Sequence, residues 1–126
     1  MGLFKNTQGK LGEDFAVSFL QRKGFIIIDR NFRIRGGEID IIAIDPTEGK
    51  GNEALVFIEV KTRSSNEYGD PLEAIGYYKL TALIRTSQFY KMKHPRLPDL
   101  MRIDAIAVIV DENGRQLQIE LVKNIS

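Results

Sequence analysis

Gly37-Glu38-Ile39-Asp40-Ile41-Ile42 and Ala54-Leu55-Val56-Phe57-Ile58-Glu59-Val60-Lys61 are two apolar runs that each carry ionisable side chains at one end. Side chains alternate along a strand, so Leu55 and Phe57 share the face of Glu59 and Lys61, while Val56, Ile58 and Val60 take the other. A strand that is apolar on both faces lies in the middle of a sheet with cover on each side. Ionisable groups at the end of such a strand cost several kcal/mol unless they neutralise one another or hold a metal ion. The same parity sets Glu59 and Lys61 about 7 Å apart on one face, and likewise Glu38 and Asp40. Pairing the two runs with their polar ends level brings Asp40 beside Glu59.

The other elements fall into place around these runs. Leu11, Phe15, Ala16, Phe19 and Leu20 recur at helical spacing and Gly24 sits where a helix stops, which predicts a helix over residues 7–23 with Glu13 at the edge of its apolar stripe. Phe25–Asp29 and Phe32–Arg35 read as two short strands, Glu38–Ile44 and Ala54–Lys61 as longer ones, and residues 45–52 as the turn between them. Together they predict an antiparallel meander. Asp70-Pro71-Leu72-Glu73 has a capping aspartate, a proline at the first helical position and a glutamate three residues after the cap, so a second helix is expected from there to about Lys93. Met101–Val110 and Gln116–Val122 read as a hairpin around Asp111-Glu112-Asn113-Gly114. The order αβββαββ predicts an α/β fold, a mixed sheet with helices on its faces, in one domain over residues 1–126.

The chain has no cysteine, which excludes disulfides, thiolate zinc sites and a cysteine nucleophile and fits a reducing, cytoplasmic setting. The start Met1-Gly2-Leu3-Phe4-Lys5-Asn6 lacks the pattern of a signal peptide, and no apolar run approaches the roughly 20 residues of a membrane span, so no membrane role is expected. Net charge is only +1, but its distribution is uneven. Arg22, Lys23, Arg30, Arg33 and Arg35 stand against Asp29 alone, and Lys79, Arg85, Lys91, Lys93, Arg96 and Arg102 against Asp99 alone, with the acidic residues 38–59 between. Basic arms around a metal-binding acidic centre suit a phosphate polymer; solvated surface charge is the alternative.

Two carboxylates from adjacent strands can hold Mg²⁺, which takes one or two carboxylates, keeps several waters and completes its shell with phosphate oxygens. Asp40 and Glu59 are the candidate ligands, Glu13 a third from the first helix, and Lys61 the group that orients the attacking water or neutralises the transition state. The competing reading is an ion-pair network at a sheet end. Lys79 lies on the apolar face of the second helix, either covering that face with its stem or reaching the carboxylates or a phosphate. Glu38 is expected to pair with Arg33 or Arg35, and Asp104 with Arg102. Arg63, directly after the polar strand end, is a candidate phosphate contact, His94 an ordinary exposed residue, and Tyr77, Tyr78 and Tyr90 are expected to be packing residues, with base stacking as the alternative.

In order along nearly the whole chain, Gly9-Lys10-Leu11-Gly12-Glu13-Asp14-Phe15-Ala16, Gly24-Phe25, Arg30-Asn31-Phe32-Arg33, Gly37-Glu38-Ile39-Asp40-Ile41-Ile42, Phe57-Ile58-Glu59-Val60-Lys61-Thr62-Arg63 and Tyr68-Gly69-Asp70-Pro71 resemble the YraN-like family of small bacterial proteins. That family looks like a branch of the PD-(D/E)xK restriction-endonuclease-like superfamily, closest in layout to archaeal Holliday-junction resolvases. The resemblance implies a restriction-endonuclease-like mixed sheet flanked by helices, with Glu13, Asp40, Glu59 and Lys61 at the helix-glutamate, strand-aspartate and E-x-K positions. Glycine precedes the acidic pair where the superfamily usually has proline. The implied activity is Mg²⁺-dependent DNA endonuclease, with Mn²⁺ as substitute, on branched or damaged DNA. Arg33, Arg35, Arg63 and Lys79 are the candidate nucleic-acid contacts, and a homodimer suits a four-way junction. The alternative is a nucleic-acid-binding or scaffold protein of the same fold that has lost the chemistry.

Overall fold

In the computed structural model, residues 2–46, 51–65 and 69–126 are described, with side chains from residue 9 onward. The order is α1 (Gly2–Arg22), β1 (Ile26–Ile34), β2 (Gly37–Asp45), β3 (Ala54–Ser64), a 3₁₀ turn (Pro71–Ala74), α2 (Tyr77–Lys93), β4 (Leu100–Val110) and β5 (Gln116–Val122). This is the αβββαββ order expected. The strands form one sheet in the order β1-β2-β3-β4-β5, antiparallel throughout except that β3 and β4 run parallel. That parallel pair needs a crossover, which α2 supplies.

β3 is the centre of the molecule. Ala54 through Glu59 are all buried. Val56 and Ile58 meet Ala16 and Leu20 of α1 on one face, and Leu55 and Phe57 meet Leu83 and Tyr90 of α2 on the other. Each such fully buried large side chain contributes about 1.5–3 kcal/mol. The two helices come unusually close to the sheet at two glycines. A Cβ on Gly12 would overlap Thr62 of β3, and one on Gly37 would overlap Thr86 of α2. Both close approaches fall beside the ionisable ends of β2 and β3.

Four boundaries differ from those expected, the simplest being the end of β3, at Ser64 instead of Lys61. α1 begins earlier, at Gly2, and ends as expected, with Gly24 N–H bonded to Gln21 O and Phe25 N–H to Leu20 O, the Schellman pattern. The two short runs after it are one strand, β1, irregular between Ile27 and Asp29. Asn31 takes φ 54 there, a left-handed kink that asparagine tolerates inside a continuous strand. Asp70 does cap, its Oδ1 accepting Leu72 N–H at 2.9 Å, but it caps only the 3₁₀ turn. Gly76 then takes an extended conformation (φ −92, ψ −172) and α2 restarts at Tyr77, so Leu72 and Ile75 lie outside it. The turn expected over residues 45–52 lies partly outside the described residues.

Candidate active site

The site begins where two strands part. The β2–β3 ladder runs from Asp45 opposite Ala54 to Ile41 opposite Ile58 and stops. β2 stays paired to β1 through Gly37, and β3 stays paired to β4 through Ser64. Continuing the register by one step sets Asp40 opposite Glu59, so these two carboxylates stand at the fork of the sheet. Asp40 Oδ2 accepts Val60 N–H at 2.8 Å, taking an amide that the interrupted ladder leaves without a strand partner. β2 also turns about its axis at this point: Ile41 belongs to the α1 side of the core and Ile39 to the α2 side.

Glu59 is the most perturbed group. Its side chain is 6% exposed, and its Oε2 has no hydrogen-bond donor among the described residues, although Lys79 Nζ lies 3.4 Å away without the alignment of a hydrogen bond. Burial, then the charge of Asp40 and a shared hydrogen bond with it, push its pKa from 4.5 up to about 7 against the opposing charges of Lys79 and Lys61. Glu13, from α1, is raised too, by burial and by Asp40, against its contacts with Asn31 and Arg30. Arg30 stands 3.6 Å from Glu13 and 2.7 Å from Asp14. Glu13, Glu38, Asp40, Glu59 and Lys79 line one hollow of about 270 Å³, floored by Val60 and Thr62.

The raised pKa makes a direct prediction. The folded state holds the Glu59 proton more tightly than the unfolded chain does, so stability falls as pH rises from about 4.5 to about 7 and the full cost is present above that. At 1.36 kcal/mol per pH unit of displacement this is about 3 kcal/mol. Glu59→Gln keeps the shape and removes the titration. Urea unfolding should find the variant equal to wild type near pH 4.5 and more stable by that amount at pH 8; a difference that does not change with pH rejects the assignment.

The other expected contacts divide. Glu38 pairs with Arg33 at 3.2 Å and Asp104 with Arg102 at 2.9 Å, both as anticipated. Lys79 reaches the carboxylates instead of merely covering apolar surface. Lys61 is half-buried on the face of Glu59 and acts on it through charge. Glu13 is paired with Arg30 at 3.6 Å yet lines the same hollow as Asp40 and Glu59 and feels the Asp40 charge, although among the described residues no three acidic or imidazole groups converge as a ready-made metal cage. Two carboxylates are nevertheless enough for Mg²⁺, and the unbonded buried oxygen of Glu59, beside an Asp40 that raises its pKa, is a donor set that a divalent cation fits.

Two further expectations fail. The second basic arm is not one surface: Lys91 binds Pro95 O, Leu97 O and Asp99, and Arg102 is turned inward to Asp45 and Asp104. Of Tyr77, Tyr78 and Tyr90, only Tyr90 is a packing residue, in edge contact with Phe32 and Phe57; Tyr77 and Tyr78 are 75% and 85% exposed. His94 is exposed but stacks on Tyr90, ring centroids 4.0 Å apart. Arg33 borders the hollows, Arg35 is exposed at the β1–β2 turn and Arg63 is half-buried further along β3. Sequence reasoning missed Arg30 and Asn31 as partners of Glu13; the kink at Asn31 that positions them has no signature in a hydrophobic pattern.

Fold and cleft define an α/β protein whose mixed sheet opens at a carboxylate pair beside which Lys79 lines the hollow, while Lys61 acts on Glu59 through charge without lining it. A family model described as "Uncharacterised protein family UPF0102" matches residues 12–108, a span that contains all of these side chains. The chain belongs to this family, the YraN family that its sequence blocks resemble. It is 38% identical over 117 residues to a UPF0102 protein of Dictyoglomus thermophilum, covering 92% of this chain and 93% of that one. It is 42% identical over 123 residues to one of Pseudarthrobacter chlorophenolicus, covering 97% and 87%, and 41% identical over 119 residues to one of Clostridium botulinum, covering 92% and 90%. Among the described residues no helix is long and apolar enough to cross a membrane.

Proposed function

We propose that this protein is a metal-dependent endonuclease that hydrolyses phosphodiester bonds in DNA, with branched or damaged DNA as its substrate class. The observation that carries the reading is the meeting of Asp40 and Glu59 at the fork of the sheet, with Glu59 buried, incompletely bonded and driven toward protonation by its neighbour. Asp40 and Glu59 would hold Mg²⁺, or Mn²⁺ in its place; when bound, the ion supplies Lewis acidity toward a phosphoryl oxygen and toward water. The carboxylates must release the Glu59 proton for this, so ion binding should strengthen as pH rises through about 7. Lys61 faces the same side of β3 as Glu59, where its ammonium orients the attacking water and offsets charge on the phosphate. Lys79 balances Glu59 in the free protein.

One observation favours a second reading. The Lys79–Glu59 and Arg30–Glu13 contacts are ion pairs that a retired nuclease, still binding DNA, would keep. Calorimetric titration with Mg²⁺ and Mn²⁺, run beside a cleavage assay on duplex and branched DNA, decides between them: heat of binding with cleavage supports the enzyme, and DNA binding with neither sinks it. Backbone affinity is assigned to Arg33 and Arg35. Arg33→Ala with Arg35→Ala should lower the slope of log affinity against log salt by up to about 2 in fluorescence anisotropy, with metal binding unchanged. Alanine is preferred to glutamate because Arg33 pairs with Glu38 and a reversed charge would repel it. An unaltered slope would move the phosphate path elsewhere.

A further inference from the structure

Tyr77 and Tyr78 are, among the described residues, the most exposed large apolar side chains of the protein. They open α2 directly after Gly76, and their rings meet edge to face, centroids 5.3 Å apart at 79°. An edge-to-face pair steadies both rings while leaving aromatic faces open. One residue further along the same turn, Lys79 places its amine 3.4 Å from Glu59. Tyr78 and Ala82 are four apart and share a helix face. Ala82, with Lys79, Arg33, Gly36 and Glu38, lines a hollow of about 550 Å³ that adjoins the carboxylate cleft through Glu38 and Lys79. Arg85, on the next turn of that face, donates to the carbonyl of Gly36, which lines the same hollow, at 3.2 Å. Tyr78, with the Tyr77 ring against it, therefore stands within one helical turn of residues that line a cation-bordered hollow leading to the carboxylate pair, although neither ring itself lines that hollow.

We propose that Tyr77 and Tyr78 are a stacking platform for an unpaired nucleobase, so that the preferred substrate carries a single-stranded segment next to the phosphate held in the cleft. The inference rests on the nuclease reading for its substrate and on the exposed rings for its site. Two rings offer far too little area for a stable protein partner, which needs on the order of 1,200 Å² of buried surface. They match what a base requires: a flat aromatic face for its π-surface and cations close by for its backbone. A fully paired duplex has no free base face to offer them, so discrimination should fall between paired and splayed DNA.

The test uses the whole protein in the presence of a chelator, so that binding is read without cleavage. The probes are a blunt fluorescent duplex and the same duplex ending in a splayed single-stranded arm that carries 2-aminopurine. Wild type should bind the splayed probe at least about 5-fold more tightly and quench its aminopurine. Tyr77→Ala with Tyr78→Ala should lose that preference and the quenching and keep its blunt-duplex affinity, while the double phenylalanine variant keeps both. Equal affinity of wild type for the two probes, a preference that survives in the alanine variant, or no binding of either probe overturns the platform. The nuclease reading stands or falls separately: a stacking preference without Mg²⁺-dependent cleavage supports the platform and sinks the enzyme, and cleavage without the preference does the reverse.

Discussion

Arg102→Ala is expected to cost the fold about 3–5 kcal/mol, because it removes the shared guanidinium from two buried aspartates at once. Arg102 donates through Nε and Nη2 to both oxygens of Asp104 at 2.9 Å, and through Nη2 to Asp45 at 2.8 Å. Asp104 is fully buried and Asp45 3% exposed. Burial alone would lower the guanidinium pKa, but the bonds to Asp104 and Asp45 outweigh it and hold it above its usual value. After truncation Asp104 keeps the Asn124 N–H at 2.9 Å, and Asp45 keeps Lys123 at 3.6 Å. Neither replaces a forked donor. For a domain of this size the melting temperature should fall by on the order of 10–20 °C. Arg102→Lys, which keeps charge but cannot span both oxygens, should lose less. A loss below about 1 kcal/mol in urea unfolding would mean that water reaches the aspartates and that the network is not structural. Because Asp45 lies five residues from Asp40 along β2, roughly 16 Å, this variant should leave metal affinity unchanged while it weakens the fold.

That network also marks the limit of what the sequence reveals. Arg102 and Asp104 are two apart on one strand, so their pairing follows from parity alone, whereas Asp45 is 57 positions away and enters only once β2, β3 and β4 are in register. The same distinction runs through the fold. β2, β3 and β5 are legible because alternation and turn residues are local, and the two faces of β3 divide as parity requires. The start of α2 is not, because a complete capping signal at Asp70 is followed by Gly76, whose cost inside a helix outweighs it. At the site, the adjacency of Asp40 and Glu59 follows from hairpin parity. The fork between their strands does not, since it arises from β2 keeping β1 and β3 keeping β4, a competition between pairings that no single segment encodes. Lys79 is the informative anomaly: a lysine on an apolar helix face is placed there either by its stem or by a buried partner, and Glu59 is that partner.

The largest effect on activity is expected from Asp40→Asn, which should lower cleavage by at least about 10²–10³-fold, the scale of losing one preorganised electrostatic group. Its effect on the free protein separates the two readings of the site. The introduced carboxamide can still accept the Val60 N–H through its oxygen, so the fork keeps its bond. The charge that raises both Glu59 and Glu13 is gone, leaving burial as the main force on Glu59 against Lys79 and Lys61. Thermal melts at pH 8 should therefore find the metal-free variant as stable as wild type or more so, and Mg²⁺ or Mn²⁺ should raise the melting temperature of wild type only. Lys61→Ala should lose cleavage to a similar degree while its metal-dependent stabilisation remains, because it removes the group beside the water and spares both carboxylates. If instead the site is a closed ion-pair network, removing the Asp40 charge unbalances the lysines that face it and the variant loses roughly 3–5 kcal/mol with no metal effect on wild type. A carboxylate pair held by its lysines needs both of its charges; one built to hold a cation is relieved when it loses one.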